Sequence, residues 1–503
     1  MLRELPGFAD LREFLAWLEA RGQLRRISGP VSVVHEITEI HRRVLADGGP
    51  ALLFEHPRRA DGSASDMPVL VNLFGTAERV AWGLGVRPES LPALGAMLAE
   101  LREPRPPQHL SDALARLPLA RAALAMRARE VTAAPVQAVV RRGGEADLTR
   151  LPAQVCWPGE PAPLVTWPLV VTRPPNSLSP EDYNLGVYRL QVLGPDRLIA
   201  RWLPQRGGAG HHRLWRAEGR DMPVAVAIGG DPATILSAAL PLPESLSEIT
   251  FSGLLRGTRP RLAHCVSVPL LVPADAEIVI EGTVAPDETA PEGPFGDHTG
   301  YFNGVEDFPV VRVTAITTRA RPIYLSTYTG RPPDEPSRIG EVLNELFRPL
   351  VQRQLPEVAD LWLPPEACSY RIAIVAIHKA YPGQARRVML GLWSLLPQLN
   401  FTKLVIVVDA DVNVRDWADV MWAVATRSDP SRDLVQLTGT PIDYLDFASP
   451  QAGLGGKLGI DATVKIGPET QRPFGKLLAM DPAVSARVDA MWSRLGLPQR
   501  KSA

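Results

Sequence analysis

Apolar residues recur along this chain in three successive rhythms. Over residues 10–21, Leu11, Phe14, Leu15 and Leu18 form one stripe at three- and four-residue spacing, which predicts an amphipathic helix. Asp10 is placed to cap its start and Gly22 to stop it. A second helical pattern covers residues 36–45, and the runs at 50–56 and 67–75 read as buried strands. Alternating helix and strand up to about residue 100 predicts a small α/β unit. Residues 103–130 are proline-rich and then arginine-studded, and read as a connector with a helix.

From about residue 135 to 324 the rhythm becomes strand-like, with runs at 164–172, 188–194, 198–204, 222–229, 276–284 and 308–317 punctuated by Gly and Pro. That pattern predicts a largely antiparallel β-barrel. Beyond residue 329 helical and near-continuous apolar segments alternate at 337–354, 370–377, 384–396, 401–409 and 414–426, as in a doubly wound parallel sheet. At 480–497, Asp481 caps, Pro482 opens, and Val484, Val488, Met491, Trp492 and Leu495 form the stripe of a closing helix, which must cover a core or a neighbouring subunit.

Length and composition narrow the function classes. The 503 residues exceed one ordinary domain. The expected division is an α/β domain with its connector (1–130), a central β-barrel (131–328), a C-terminal α/β domain (329–475) and an oligomerisation helix (476–503). Basic and acidic residues number 54 and 55, so no overall field favours nucleic acid or an anionic membrane. Three cysteines without CxxC spacing exclude a disulfide framework and a thiolate zinc site. The opening MLRELPGFADLREF holds no secretory apolar core, and nothing approaches a membrane span, so a cytoplasmic protein is expected.

Several familiar motifs fail. His35 and His41 are six apart and fall on different helix faces, unlike zinc-protease histidines. GLGGKLG (453–459) lacks the context of a nucleotide loop and reads as a flexible turn. His211-His212 reads as an exposed loop pair, and no GxSxG occurs. Six lysines are present, the first being Lys379. His378-Lys379 superficially suggests pyridoxal chemistry, but a strand-end lysine facing solvent is the better reading.

Chemistry concentrates in the central region. YNLGVYR (183–189) places Asn184 at the start of a strand and Arg189 within it. RWLPQRGGAG (201–210) ends a strand in a glycine cluster where Arg201, Arg206 and backbone N–H groups suit either a phosphate or a plain turn. In ETAPEGPFGDHTGYF (288–302), Glu292 and Asp297 flank a Gly-Pro-Phe-Gly turn beside His298. Paired carboxylates would raise each other's proton affinity and make one a proton donor, unless this is simply an acidic surface turn. Glu244 or Glu248, with Asn184, offers oxygen ligands for a hard divalent cation.

These segments, with NLFGTAERVA, DPATIL, FSGLLRG, STYTGRPPDEP and PIDYLDFASP, resemble the UbiD decarboxylases over nearly the whole chain. The resemblance implies a central split β-barrel like that of flavin reductases between two α/β domains, and a dimer or hexamer. It implies prenylated FMN, supplied by a flavin prenyltransferase, together with a divalent cation, usually Mn²⁺, and often K⁺. It assigns Asn184 and Glu248 to the metal. Val187, Tyr188, Arg189, Arg201, Trp202, Leu203, Arg206 and Gly207 fall to the cofactor. Arg189, Glu292 and Asp297 match the catalytic arginine–acid–acid set, with Asp297 as proton donor. The implied activity is decarboxylation of a 4-hydroxybenzoate-type acid, 3-polyprenyl-4-hydroxybenzoate of ubiquinone synthesis foremost, with peripheral membrane contact for such a substrate. The alternatives are another aromatic acid, or a non-catalytic flavin- or metal-binding subunit. Gln205 stands where relatives commonly carry histidine, which bears on the metal site.

Overall fold

The computed structural model describes residues 3–102, 109, 122–240, 242, 246–368, 370–395 and 399–495. Most of the connector at 103–130, and Glu244, lie outside that set.

The first helix spans Leu11–Glu19, buries the expected stripe, and is capped by the Asp10 carboxylate accepting from the Glu13 N–H at 3.0 Å. It covers a four-stranded sheet ordered Leu24–Ile27, Ala51–Phe54, Val69–Val71, Tyr324–Leu325. The last of these strands comes from the far end of the central region and pairs parallel to Val69–Val71. The sheet thus contains a strand that chain order alone does not suggest.

The central sheet has nine strands. Its path runs Asn184–Val187, Pro168–Thr172, Met222–Ile228, Ile278–Glu292, Glu306–Thr318, Arg197–Ala200, Leu190–Val192, Leu164–Val165, with Val139–Arg142 beside Glu306–Thr318. Every pairing along it is antiparallel. Asn184–Val187 is one edge, yet Leu190–Val192, at the opposite end of the path, follows after only Tyr188 and Arg189. Two extended residues reach about 10 Å at most across such a link, so the sheet must curl until its two ends nearly meet. This is the split barrel, and Tyr188-Arg189 crosses its seam.

In the C-terminal region the sheet order is Val358–Trp362, Ile372–Ile377, Leu404–Asp409, Leu454–Ala462, Leu434–Pro441. The inner three strands are parallel and the outer two antiparallel. Alternate residues feed two cores: Ala373, Val375 and Ile377 face the helix Gln384–Leu395, whereas Ile374 and Ala376 face Trp417–Arg427. Helices on both faces make it doubly wound. Of GLGGKLG only Gly453 lies in a turn, and the rest begins the strand Leu454–Ala462. Glycine is required there by packing, since a Cβ on Gly459 would sit 2.4 Å from the Met389 sulfur.

The closing helix forms at Pro482–Met491, with Asp481 as its cap, and buries none of its residues within this chain. No helix among the described residues is long and apolar enough to cross a membrane.

Candidate active site

The longest strands of the barrel, Ile278–Glu292 and Glu306–Thr318, pair to their tips, where Glu292 faces Glu306. Between them residues 293–305 fold back as a compact loop. Its backbone is fixed by Asn303 N–H to Phe295 O at 3.0 Å, Asp297 N–H to Tyr301 O at 3.1 Å and Gly300 N–H to Asp297 O at 2.8 Å. The loop carries Asp297 against the barrel seam, where Arg189 emerges. Arg189 sits between two strands rather than within one.

The three residues meet there. Arg189 Nε donates to Glu292 Oε1 at 2.9 Å and Nη2 to Glu292 Oε2 at 3.2 Å, while Nη1 donates to Asp297 Oδ2 at 3.0 Å. Arg201 Nη1 reaches Glu292 Oε2 at 2.8 Å. Asn303 accepts from Arg189 Nη2 at 2.9 Å through its side-chain oxygen, and the same oxygen accepts from the Phe295 N–H at 2.8 Å. Glu292 is completely buried, which excludes the surface-turn reading. These bonds occupy four of the five guanidinium N–H groups of Arg189. Nη2 of Arg201 is buried without a partner. Two cationic donors are therefore available to an anion.

The electrostatics correct one sequence expectation. Two carboxylates alone would push proton affinity upward, but here Arg189 lies between them. Burial still raises the Asp297 carboxyl. The His298 hydrogen bond and charge, and then Arg189, outweigh burial and hold it well below the usual carboxylate range. His298 donates to Asp297 Oδ1 from its backbone N–H at 2.8 Å and lies 2.7 Å away through Nδ1. Burial lowers the proton affinity of His298, but the Asp297 carboxylate, hydrogen-bonded at 2.7 Å, and the nearby Asp443 carboxylate more than offset it and hold the imidazole at about 9. Asp297 is therefore a carboxylate at rest, and the proton beside it resides on histidine.

A second cluster adjoins the seam. Tyr188 OH lies 3.3 Å from Asn184 Oδ1 and accepts from the Gly208 N–H at 3.4 Å. Glu248, at the start of the helix Glu248–Arg256, accepts from the Leu185 N–H at 2.9 Å and so lies beside Asn184. Its carboxyl is pushed up to about 7 by burial. The glycine cluster opens the helix Gly207–Ala217, with Arg206 exposed at its N-cap. A Cβ on Gly207 would lie 2.2 Å from Asn184 Oδ1, and one on Gly208 would lie 2.9 Å from Trp202 Nε1. Val187, Tyr188 and Leu203 are half-buried, Arg201 and Trp202 are buried, and Gln205 is exposed.

The fit to a flavin and a cation can be judged from this cluster. Asn184 Nδ2, Arg201 Nη2, Trp202 Nε1 and His212 Nε2 are buried without partners. They lie on the segments around the seam, where an acceptor-rich group would satisfy them. Glu248 is a buried acid with no cation beside it among the described residues, the electrostatic condition that a hard divalent ion relieves. No group of three or more His, Cys, Asp or Glu suited to a metal occurs among the described residues. A site here would rest on Asn184 and Glu248, with water completing the shell.

Family models match the chain in three consecutive pieces. They are the N-terminal domain of 3-octaprenyl-4-hydroxybenzoate carboxy-lyase at residues 15–98, its Rift-related domain at 129–332 and its C-terminal domain at 337–462. The chain belongs to the UbiD family. It is by class a carboxy-lyase, a UbiD-type decarboxylase. Among solved structures it is similar to the UbiD-class enzyme HmfF of Pelotomaculum thermopropionicum in complex with FMN, at 29% identity over 95% of this chain and 98% of that one, with TM-score 0.78. An evolved dimeric form of HmfF, in complex with prenylated FMN, matches at 28% identity over 95% and 98%, TM-score 0.75. The vanillic acid decarboxylase of Sedimentibacter hydroxybenzoicus in its closed form matches at 26% identity over 97% and 99%, TM-score 0.80.

Within this UbiD chain two further expectations are overturned. His211-His212 is not an exposed loop pair. Both lie on the helix Gly207–Ala217, half-buried, with His211 Nδ1 3.0 Å from Thr172 Oγ1. Lys379 does not face solvent. Its side chain is 4% exposed, and its ammonium pairs with Glu469 at 2.6 Å and donates to Thr463 Oγ1 at 2.8 Å. A paired ammonium of this kind is no Schiff-base nucleophile. Sequence reasoning also missed Asn303, Asp443 and Arg371. The only signal for Asp443 was its place in PIDYLDF, a segment that supported the resemblance without suggesting a role.

Proposed function

We propose that this protein catalyses the non-oxidative decarboxylation of a 4-hydroxybenzoate-type acid with prenylated FMN, 3-polyprenyl-4-hydroxybenzoate being the foremost substrate. The observation that carries the reading is the Arg189–Glu292–Asp297 cluster at the barrel seam, beside a patch of unpartnered buried donors. The solved relatives with FMN and prenylated FMN support the cofactor, and the vanillic acid decarboxylase supports an aromatic acid.

When bound, the prenylated flavin supplies an electron sink for a ring carbon that would otherwise carry an unstable negative charge as CO₂ departs. The remaining work falls to the chain's own residues. Arg189 and Arg201 offer their free N–H groups to the substrate carboxylate. Glu292, completely buried and gripped by both, fixes their planes and offsets their charge. Asp297 holds a position from which to return a proton to the carbon that loses CO₂. Asn184 and Glu248 would hold a divalent cation such as Mn²⁺, and the N-terminus of the helix Gly207–Ala217 with Arg206 would meet the flavin phosphate. K⁺ and a flavin prenyltransferase belong to the same reading.

Expression with a flavin prenyltransferase, mass spectrometry of the bound cofactor and a screen of prenylated and unprenylated hydroxybenzoates test the proposal. Release of CO₂ from a hydroxybenzoate supports it. A protein loaded with the prenylated flavin that releases CO₂ from none of them overturns it.

A further inference from the structure

We propose that His298 is the positioning residue that passes a proton to Asp297 in each turnover, poised for this by Arg371, just before the strand Ile372–Ile377, and Asp443, just after the strand Leu434–Pro441. The inference rests on the decarboxylase reading above and adds the route by which its proton arrives.

Stoichiometry sets the requirement. An aromatic carboxylate that loses CO₂ leaves the electron pair of the broken bond on the ring, and that pair must take up one proton. One proton is therefore drawn from water in every cycle. Asp297 alone is poorly suited to collect it. Its Oδ2 is held by Arg189, and its Oδ1 by the backbone N–H and the ring of His298. Among the described residues, His298 is the protonatable group in contact with Asp297 that can gain and lose a proton near neutral pH.

The surroundings of the ring suit transfer. Nδ1 faces Asp297 Oδ1 at 2.7 Å, while Nε2 lies 3.1 Å from Arg371 Nη1 and 3.7 Å from Asp443 Oδ2. Guanidinium can only donate and carboxylate can only accept. In the charged ring Nδ1–H points at Asp297 and Nε2–H turns to Asp443. In the neutral ring left once Nδ1 has given up its proton, Nε2–H keeps Asp443 and Nδ1 accepts from the newly protonated Asp297, so the transfer strands neither nitrogen. Arg371 Nη2 and Tyr370 OH hold the same Asp443 oxygen at 3.0 and 2.7 Å, which fixes that carboxylate in place. The charged groups facing the imidazole are thus Asp297, Asp443 and Arg371, with Asp334 further off.

In the transfer, the Nδ1–H bond breaks with its electrons staying on nitrogen, and Asp297 gains the proton. The Asp297 O–H bond then breaks, its electrons remain on the carboxylate, and the ring carbon binds the proton with the pair left by CO₂. Water returns a proton to the imidazole, whose side chain is 22% exposed.

Two measurements test the relay. Nitrogen-15 NMR titration of the cofactor-free protein is expected to show His298 titrating near 9. Asp443→Asn should lower that midpoint by at least about one unit. In the loaded enzyme the same substitution should shift the alkaline limb of kcat downward by the same amount. His298→Asn, which keeps a donor toward Asp297, should reduce kcat about 10²-fold with KM little changed and abolish that limb. Imidazole added to His298→Gly should restore part of the rate. Full kcat in His298→Asn, or an Asp443→Asn variant that moves neither midpoint nor limb, overturns the relay. A wild type that releases no CO₂ defeats the decarboxylase reading instead, and the NMR titration still decides whether Asp443 holds the charge on His298.

Discussion

Arg189 grips Glu292 with two side-by-side hydrogen bonds, Nε to Oε1 at 2.9 Å and Nη2 to Oε2 at 3.2 Å, and the carboxylate so held has no exposure to solvent. Glu292→Gln keeps the shape and removes the charge from between two guanidiniums. Breaking a buried pair this way costs about 3–5 kcal/mol because charge is left without compensation. The expected outcome is a lower Tm together with loss of CO₂ release. A variant as stable and active as the parent would show that Glu292 balances neither arginine.

Asp297→Asn is nearly isosteric, and its carbonyl oxygen can still accept from Arg189 or His298. It cannot carry a carboxyl proton. A loss of about 10²–10⁴-fold in kcat is expected, with bound flavin unchanged by absorbance. Full activity would remove Asp297 from proton delivery.

Stability should depend on pH through the His298 pair. The folded imidazole sits at about 9, above its ordinary 6.5. Its contribution is thus fully present below about 6.5 and lost as pH rises through about 9. Asp297 and Asp443 are depressed, so their share is present above the ordinary aspartate range and lost as pH falls below it. The Tm difference between the parent and His298→Asn should be largest between about pH 5 and 6.5 and shrink toward pH 10. A difference that does not vary with pH would contradict the charge assignment.

Gly207→Ala tests the second cluster. The new Cβ would fall 2.2 Å from Asn184 Oδ1, so the asparagine must move. Mn²⁺ affinity, read by electron paramagnetic resonance, is expected to fall about 10- to 100-fold, as when the support of a ligand is disturbed. Glu248→Ala should abolish binding outright. Unaltered Mn²⁺ binding in both variants would place the metal elsewhere.

The closing segment exposes apolar surface that one chain leaves uncovered. Leu478 is 97% and Met480 69% exposed, and the helix Pro482–Met491 buries nothing. Removal of residues 476–503 is expected to lower the mass measured by light scattering while the sheets remain folded. An unchanged mass would show that this helix holds no second subunit.

Much of this was legible in the sequence because it is local. The helix at Leu11–Glu19 and the run that becomes Ile372–Ile377 declare themselves by periodicity, and Glu292 and Asp297 by their shared turn. What failed was set at a distance. The charge state of Asp297 depends on Arg189, more than a hundred positions earlier, and on a histidine whose own partner, Asp443, lies far down the chain. GLGGKLG reads as a turn because glycine usually marks one, yet here it makes room for Met389. The helix Gly207–Ala217 hides behind glycines of poor helical propensity.

The pairing of Tyr324–Leu325 with Val69–Val71 has a consequence for synthesis. Until the ribosome has delivered residue 325, the N-terminal sheet lacks its last strand and presents an open backbone edge, a template for unwanted pairing. At roughly 5–20 residues per second that interval lasts on the order of tens of seconds. Fragments ending before residue 325 are therefore expected to aggregate more readily than fragments that include it.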